Sequence, residues 1–310
     1  MGSPLRLTLG DVDGTALAGG PPVWAGVVDS FEVSEQAMSR FRDTSELTEL
    51  NRMAGTGRLT RPSARLRRAL VASDRAHRIT DGRFDPRVLA DLDRLGYTGA
   101  ALPSAAPGIA AGSRILDRRG RRDVALARPV DLGGIGKGLA LRWAAAELER
   151  AGVTRFLLEA GGDLVTRGMD RSDGPWLIGL EDPKGDRDHL AVIAVADQAV
   201  ATSSVSVHRW AIKGRAVHHL LDPRTGEPAT GGLLSVTVAG PDPAWAEVWS
   251  KVLFIAGLAD IAQEARSRGL AAWWVADDGT LEMTADARRG TFWVASEDDP
   301  SIDTQSRQGR

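Results

Sequence analysis

The sequence has no cysteine and very little lysine. Without cysteine it cannot form a disulfide framework, a thiolate zinc site or a lipid-modified cysteine. No apolar run approaches the roughly 18 residues that a membrane-spanning helix needs, and no charged leader followed by an apolar block opens the chain. We therefore expect a cytoplasmic protein with no transmembrane segment. Of the 39 basic residues only four are lysines, at positions 137, 184, 213 and 251.

The balance of charged and apolar residues is that of an ordinary globular protein. The formal net charge of −2 gives no electrostatic reason to expect nucleic acid as a partner. At 310 residues the chain is long enough for one large domain or two ordinary ones, and we predict no interdomain linker. We expect one domain over residues 1–296, followed by a polar, disordered tail over residues 297–310.

Helical and strand-like patterns are mixed along the chain without a strict βαβ repeat, which predicts an α+β fold. Alternating leucines predict a strand within the first ten residues, and short strand-like runs recur between residues 176 and 240. Residues 97–114, rich in Ala, Gly, Ser and Pro, predict a loop. Apolar spacing predicts helices over residues 24–40, 63–80, 137–150 and 244–268. A further helix is predicted to begin at Ser45, a possible N-cap, and to end near Gly55.

The stretch VDLGGIGKGLALRWAAAELERAG, residues 130–152, places four glycines around Lys137 before a helical pattern. It is not a Walker loop, because Asp131 replaces the first glycine of that motif and Gly138 follows the lysine. It contains no dinucleotide-binding G-x-G-x-x-G either. Glycines permit close backbone approach and a helix N-terminus offers free N–H groups, so the pattern favours an anion. A glycine turn with a solvent-facing lysine fits the pattern equally well.

Three further segments combine turn residues with side chains that could bind a ligand. In LEAGGDLVTRG, residues 158–168, paired glycines end a buried strand, which suits either a ligand lying against the backbone or a hairpin turn. DGRFDPRVL, residues 81–89, fits a turn after a helix. In HHLLDPRTGEPA, residues 218–229, Asp-Pro-x-Thr-Gly is typical of a turn. Adjacent histidines on a strand point to opposite faces, so only one of His218 and His219 can enter a site.

Taken in order, these segments resemble the ApbE family, the FAD:protein FMN transferases. The opening Met-Gly-Ser is similar to the Met-Gly-Thr of that family. SRFRDTSELTELN is similar to its Ser-x-Tyr…Ser-Glu-Leu…Asn segment, with Phe41 at the usual tyrosine position. GRFDP, VDLGGIGKG, EAGGD and HHLLDPRTG then follow in the order of the family, so that the resemblance covers most of residues 1–258.

The resemblance implies a single T-fold-like α+β domain of mixed helices and antiparallel strands that binds FAD. It also implies transfer of FMN from FAD to a Ser or Thr hydroxyl of a target flavoprotein, with release of AMP. His219 would be the base that accepts the proton of that hydroxyl, since a neutral imidazole suits this role. The residues that the resemblance places at FAD are Met1, Phe41, Arg83, Phe84, Asp85, Asp131, Lys137, Gly161, Gly162, Asp163 and Leu221.

The sequence departs from the family where the family holds Mg²⁺. The resemblance places the Gly134 carbonyl and Glu247 at the metal, but the aspartate of the family has become Glu247 and its threonine ligand has become Lys251. A protonated lysine cannot ligate a metal, which makes Mg²⁺ doubtful as a cofactor. Arg142 and Glu159 are two further departures, in place of an aspartate and an asparagine.

Two structural alternatives follow from this departure. Glu247 and Lys251, four residues apart on one helix face, could form an ion pair. Alternatively, the Lys251 ammonium takes the place of Mg²⁺ beside the pyrophosphate and acts with His219 in catalysis. Two functions also stay open: a flavin transferase with an altered metal site, and a non-catalytic FAD-binding protein that stores, senses or delivers flavin.

Overall fold

The computed structural model describes residues 4–10, 20–100, 115–119, 122–207, 209–212 and 214–296. Its helices are α1 (Gly20–Met38), α2 (Glu46–Arg52), α3 (Ala64–Ile79), α4 (Leu89–Arg94), α5 (Gly136–Arg150), α6 (Pro243–Ala256), α7 (Ile261–Ser267) and α8 (Ala285–Arg289), with a 3₁₀ turn at Pro86–Val88. Its strands are β1 (Leu5–Leu9), β2 (Leu116–Arg119), β3 (Asp123–Leu126), β4 (Phe156–Ala160), β5 (Asp163–Arg167), β6 (Trp176–Glu181), β7 (His189–Val195), β8 (Ala199–Ser204), β9 (Arg209–Ile212), β10 (Arg215–His218), β11 (Leu221–Asp222), β12 (Glu227–Pro228), β13 (Leu233–Gly240), β14 (Ala271–Ala276), β15 (Leu281–Met283) and β16 (Thr291–Val294).

A seven-stranded antiparallel sheet forms the centre of the fold, in the order β1-β4-β5-β8-β13-β14-β15. Successive side chains of a strand point to opposite faces. Val165 of β5 therefore packs in a cluster with residues of α1 and α5, whereas its neighbour Leu164 packs against the smaller sheet β16-β7-β6. The predicted α+β class, with mixed helices and antiparallel strands, is confirmed.

Polar N-caps fix where four of the helices begin, among them α8, which Thr284 caps. Ser45 Oγ accepts the Thr48 N–H at 3.0 Å, so the predicted N-cap of α2 is confirmed. Ser63 caps α3 in the same way. Asp242 caps α6 by accepting two backbone N–H groups, and Pro243 follows at a position where no N–H is needed.

The prediction of one helix over residues 244–268 is wrong, because the chain turns between α6 and α7. Gly257 adopts φ 79°, which a side chain would strain, and a Cβ there would lie 3.0 Å from the Gly231 Cα. The break therefore follows from a backbone contact with a distant loop. Most of the predicted 97–114 loop and the whole predicted tail over 297–310 lie outside the described residues, and the single-domain organisation stays a prediction.

Helices α5 and α6 cross in direct backbone contact. A Cβ on Gly138 of α5 would lie 2.4 Å from the Pro243 carbonyl oxygen and 2.5 Å from the Ala244 Cα. Only glycine permits this approach, and it brings the first turn of α5 beside the first turns of α6. None of the helices in the described chain is long and apolar enough to cross a bilayer. The cytoplasmic location stays a prediction.

Candidate functional site

One open cavity brings together most of the residues that the motifs single out. Its walls come from the segment after α1, the segment before α4, the glycine turn before α5, strand β8, the segment between β10 and β12, and one side of α6. The predicted residues that line it are Phe41, Arg83, Phe84, Asp85, Asp131, Gly134, Lys137, Asp163, His219, Leu221, Glu247 and Lys251.

The glycine turn forms one wall of the cavity. The Asp131 carboxylate accepts the Gly133 N–H at 2.9 Å, and the Gly136 N–H bonds the Leu132 carbonyl at 2.7 Å. Helix α5 begins at Gly136, its N-cap residue Ile135 makes no side-chain capping hydrogen bond, and in its first turn the Gly138 N–H is bonded to the Glu247 carboxylate. The turn therefore presents glycine backbone and the start of a helix to the cavity, which is an arrangement that favours an anion.

Lys137 lies in the first turn of α5 and pairs across the cavity wall with Asp163. Its Nζ is 2.7 Å from Asp163 Oδ2, and Asp163 Oδ1 accepts the Thr202 N–H at 3.1 Å. Burial acts to lower the pKa of the Lys137 ammonium, but the carboxylates of Asp163 and Glu247 outweigh it and raise that pKa above its ordinary value. Lys137 is therefore held as a cation at the glycine turn.

Glu247 is a buried carboxyl group that is tied to the start of α5. Its Oε2 accepts the Gly138 N–H at 2.8 Å. Burial raises the pKa of Glu247 to about 7, the Asp163 carboxylate acts in the same direction, and Lys137, Lys251 and the Gly138 N–H oppose this rise. Glu247 thus links α6 to α5 instead of pointing freely at a ligand.

Lys251 lies one turn after Glu247, and its stem passes over the glycine turn. A Cβ on Gly134 would lie 2.9 Å from Lys251 Cε and 2.9 Å from Phe84 Cε2. Within the described chain, no salt bridge joins Lys251 to Glu247 or to any other carboxylate. Burial lowers the pKa of Lys251, and the Glu247 carboxylate opposes that shift. The Glu247–Lys251 ion pair that the spacing allowed is not formed.

These groups do not fit Mg²⁺. The ion demands near-ideal octahedral geometry with oxygen ligands, whereas the Lys251 stem lies against Gly134 and the ammonium offers no lone pair. One oxygen of Glu247 is already occupied by the Gly138 N–H. The described residues contain no cluster of three His, Cys, Asp or Glu side chains that could hold a metal ion. The roles predicted for Gly134 and Glu247 as metal ligands are not supported by this donor set.

The two adjacent histidines lie in different environments. His219 lines the cavity, with its ring centroid 6.3 Å from that of Tyr97. His218 is the last residue of β10; its Nε2 lies 3.1 Å from the Ala229 carbonyl oxygen, and its ring packs edge-on against Phe254. In the neutral form that carries a proton on Nε2, His218 donates this hydrogen bond, so it is a structural residue.

We expect His218 to make the protein less stable in acid. Burial lowers its pKa from 6.5, with Arg209 adding to the effect and the Ala229 carbonyl opposing it, so the unfolded chain takes up this proton before the folded one does. The stability that the neutral ring contributes is present above about pH 6.5 and is lost as the pH falls, by at most about 1.4 kcal/mol per pH unit. Urea unfolding at about pH 7.5 and about pH 5.5 should show a smaller difference for His218→Gln than for the wild type. Equal differences would contradict this expectation.

Four other residues that were predicted to contact FAD already have partners within the protein, do not line the cavity, or lie outside the described residues. Asp85 lines the cavity, but its carboxylate already accepts the Arg87 Nε–H at 2.8 Å and lies 3.3 Å from His77 Nδ1. Gly161 and Gly162 form the β4–β5 hairpin turn with positive φ and are not among the lining residues. Met1 lies outside the described residues. The contacts of these residues with FAD stay predictions.

Sequence reasoning missed an aromatic and arginine cluster at the cavity. The Arg40 guanidinium lies 4.7 Å from the Phe41 ring centroid and 4.9 Å from that of Tyr97, and it bonds Asp93 at 3.0 Å. The Tyr97 ring stacks on Trp210 with centroids 5.4 Å apart. The available signal was weak: Tyr97 is the single tyrosine of the chain.

A row of hydroxyl groups on β8 was also missed. Thr202, Ser203 and Ser204 line the cavity, and the Ser203 hydroxyl bonds that of Ser250 on α6 at 2.9 Å. Their signal in the sequence was the run ATSSVS, which is unusually polar for a strand at the centre of a sheet.

The departures at Arg142 and Glu159 have structural partners. The Arg142 guanidinium pairs with the Asp242 carboxylate at 2.5 Å, and Asp242 is the N-cap of α6. Glu159 on β4 lies 3.9 Å from an Arg6 nitrogen on β1. Both residues therefore hold neighbouring elements together.

Comparison with known proteins assigns the chain to a family. The sequence profile described as the ApbE family matches residues 1–274. The chain belongs to the ApbE family. It is 33% identical over 152 residues to an FAD:protein FMN transferase of Klebsiella pneumoniae, covering 48% of this chain and 43% of that protein. A second such protein of K. pneumoniae is 29% identical over 271 residues, covering 83% and 81%.

The fold agrees with solved ApbE structures. The ApbE protein of Thermotoga maritima superposes with a TM-score of 0.80 at 25% identity, covering 93% of this chain and 96% of that one. Against its first sequence relatives, this ApbE chain spans only about half of their length, 43% of one and 49% of another. The predicted family is confirmed.

Proposed function

We propose that this protein is an FAD:protein FMN transferase that moves FMN from FAD to a Ser or Thr hydroxyl of an acceptor flavoprotein and releases AMP. The observation that carries the proposal is that the glycine turn with Lys137, and His219 from a distant segment, line the same cavity. Family membership over residues 1–274 supports it as well. FAD is then the substrate, and the acceptor protein is the partner.

The cavity offers suitable groups for both parts of FAD. The glycine turn and Lys137 would bind the pyrophosphate through backbone N–H groups and one ammonium. Phe41 and Tyr97 would contact the ring systems, and Arg40 holds both aromatic side chains in place through its guanidinium. The hydroxyl groups of β8 would provide further hydrogen bonds to phosphate or ribose.

In the transfer step, His219 would take the proton of the acceptor hydroxyl. The oxygen would attack the phosphorus of the FMN half, and the bond from that phosphorus to the bridging oxygen would break, with AMP leaving on that oxygen. The products are FMN esterified to the acceptor, AMP, and a proton on His219. Phosphoryl transfer depends mainly on positioning and on neutralising charge. The Lys137 ammonium, which lies at the glycine turn, would contribute to both.

A non-catalytic FAD-binding protein is the second candidate. The specific observation in its favour is that Gly134, Glu247 and Lys251 do not form a site that fits Mg²⁺. Without a bound divalent ion, the positive charge that would promote transfer of the phosphoryl group is missing. Such a protein would bind FAD in the same cavity and leave it intact.

The test is to mix the purified protein with FAD and an acceptor peptide that carries a Thr, and to follow AMP release and flavin attached to the peptide. We expect FAD to bind with a dissociation constant at or below the low micromolar range, about −8 kcal/mol, and the peptide to gain FMN. Binding without transfer to any Ser- or Thr-bearing acceptor would favour the second candidate. The absence of binding, by fluorescence quenching and by thermal shift, would contradict both.

A further inference from the structure

Four charged side chains meet where the glycine turn joins α5, and they are unequally paired. Lys137 lies 2.7 Å from Asp163, and Glu247 accepts the Gly138 N–H at 2.8 Å. Lys251 has no salt bridge to a carboxylate among the residues that the structure describes, although the Glu247, Asp163 and Asp131 carboxylates act on its charge. Lys251 is thus the cation of this group that no direct ion pair neutralises.

The position of Lys251 is fixed by contacts along its stem. Cε and Cδ lie 2.9 Å and 3.3 Å from where a Cβ on Gly134 would be, and the Phe84 ring lies against the same point. The side chain is therefore packed along the glycine turn and lines the cavity instead of extending into bulk water. A side chain substitution at Gly134 would displace it, so the glycine and the lysine form one arrangement.

An ammonium in a partly dehydrated wall loses hydration free energy, and a second ammonium nearby adds repulsion. Lys137 is such a neighbour, and its charge acts on Lys251. A ligand that brings negative charge to the glycine turn would be attracted by both ammonium groups, and its presence would favour their charged forms. A pyrophosphate group carries about two negative charges, and the Lys251 ammonium is the positive charge here that no direct ion pair already balances, whereas Lys137 is shared with Asp163.

We propose that Lys251, acting with Lys137, supplies the positive charge that neutralises the pyrophosphate of FAD, so that this protein binds FAD without a divalent cation. Lys251 is a binding residue in this arrangement, with its stem placed against Gly134 and its ammonium facing the phosphates. The inference rests on the proposed function, because FAD is the anion that it invokes. It goes further in assigning a charge-neutralising role to a residue that cannot ligate a metal.

The decisive measurement is calorimetry of FAD binding to the wild-type protein, first with excess EDTA and then with millimolar Mg²⁺. We expect the two dissociation constants to agree within about twofold. An affinity that rises tenfold or more with Mg²⁺, about 1.4 kcal/mol, would overturn the inference and leave the proposed function standing. If FAD binds in neither buffer, the proposed function fails first, so the two failures are distinguishable.

A pair of lysine variants isolates the role of the charge. Lys251→Met keeps the length and apolar stem of the side chain, and we expect it to weaken FAD binding in EDTA by tenfold or more. The matched control is Lys184→Met, because Lys184 is exposed, is not among the residues that line the cavity, and donates from its ammonium to the Asp278 carbonyl; the FAD affinity of this variant should equal that of the wild type. An unchanged affinity of Lys251→Met in EDTA would overturn the inference.

Melting temperatures of both variants show whether they fold, and the wild-type comparison in EDTA and Mg²⁺ stands even if one of them does not.

A further variant provides an independent check. Lys251→Thr combined with Glu247→Asp restores two oxygen ligands beside the Gly134 carbonyl, so the double variant should bind FAD more tightly with Mg²⁺ than with EDTA. The assignment would be overturned if Mg²⁺ tightened FAD binding to the wild type but left the FAD affinity of the double variant unchanged.

Discussion

Replacing His219 by alanine should lower the rate of FMN transfer by roughly 10²–10⁴-fold, which is the usual contribution of a general base. The affinity for FAD should stay close to that of the wild type, because the groups that we propose at the pyrophosphate are Lys137, Lys251 and the glycine turn. A hydroxyl is a poor nucleophile until it loses its proton, and among the histidines in the described part of the chain His219 is the one that lines the cavity.

The rate is measured as AMP release under saturating FAD and acceptor peptide, with the FAD dissociation constant determined separately. His218→Ala is the matched control, because His218 lies next in sequence but bonds the Ala229 carbonyl. It should lower the melting temperature and leave the rate per folded molecule within a few-fold of the wild type. If His218→Ala abolished transfer while His219→Ala did not, the assignment of the base would be wrong.

Replacing Gly138 by alanine should destabilise the protein by about 1–3 kcal/mol, the range found for overpacked sites. The added Cβ would lie 2.4 Å from the Pro243 carbonyl oxygen and 2.5 Å from the Ala244 Cα, and both are backbone atoms that cannot rotate away. The helices α5 and α6 would have to separate. Their separation would also disturb the hydrogen bond from the Gly138 N–H to Glu247.

A second glycine in a helix provides the control. Gly26 lies inside α1 and is exposed, and a Cβ added there would have no other atom within 4 Å. Gly26→Ala should therefore stabilise the protein by about 0.5–1 kcal/mol, as expected for alanine in a helix interior. Urea unfolding of both variants measures the two effects. If both substitutions stabilised the protein, helix propensity, and not contact between α5 and α6, would decide the outcome at Gly138.

The sequence predicted the helix ends that depend on contacts between residues close together in the chain. The cap of α2 at Ser45 needs only a side chain and an N–H three residues away, so its pattern is readable in the sequence. The start of α5 was visible for the same reason, as glycines followed by helical spacing. The end of α6 was not, because it depends on the approach of Gly257 to Gly231, and the apolar spacing continues past that point.

The same distinction applies to the candidate site. The glycine turn and the two histidines stand in contiguous motifs, which made them recognisable. Arg40, Tyr97 and Trp210 meet through contacts across large separations in sequence, such as the bond from Trp210 Nε1–H to the Leu95 carbonyl, 115 residues away. Side chains that meet only in the folded protein leave no spacing for a pattern to detect. The engagement of Glu247 by Gly138 has the same origin.

The pairing of β1 with β4 has a consequence for biosynthesis. Leu5 pairs with Ala160 and Leu9 with Phe156, so the first strand of the central sheet has its partner about 150 residues later in the chain. At the usual rate of translation, roughly 5–20 residues per second, β1 is made on the order of ten seconds before β4 exists. During that interval its backbone N–H and C=O groups have no strand to pair with. Strand β1 therefore stays without its native partner strand until β4 has been synthesised, and pairing with an edge strand of another chain competes during that time.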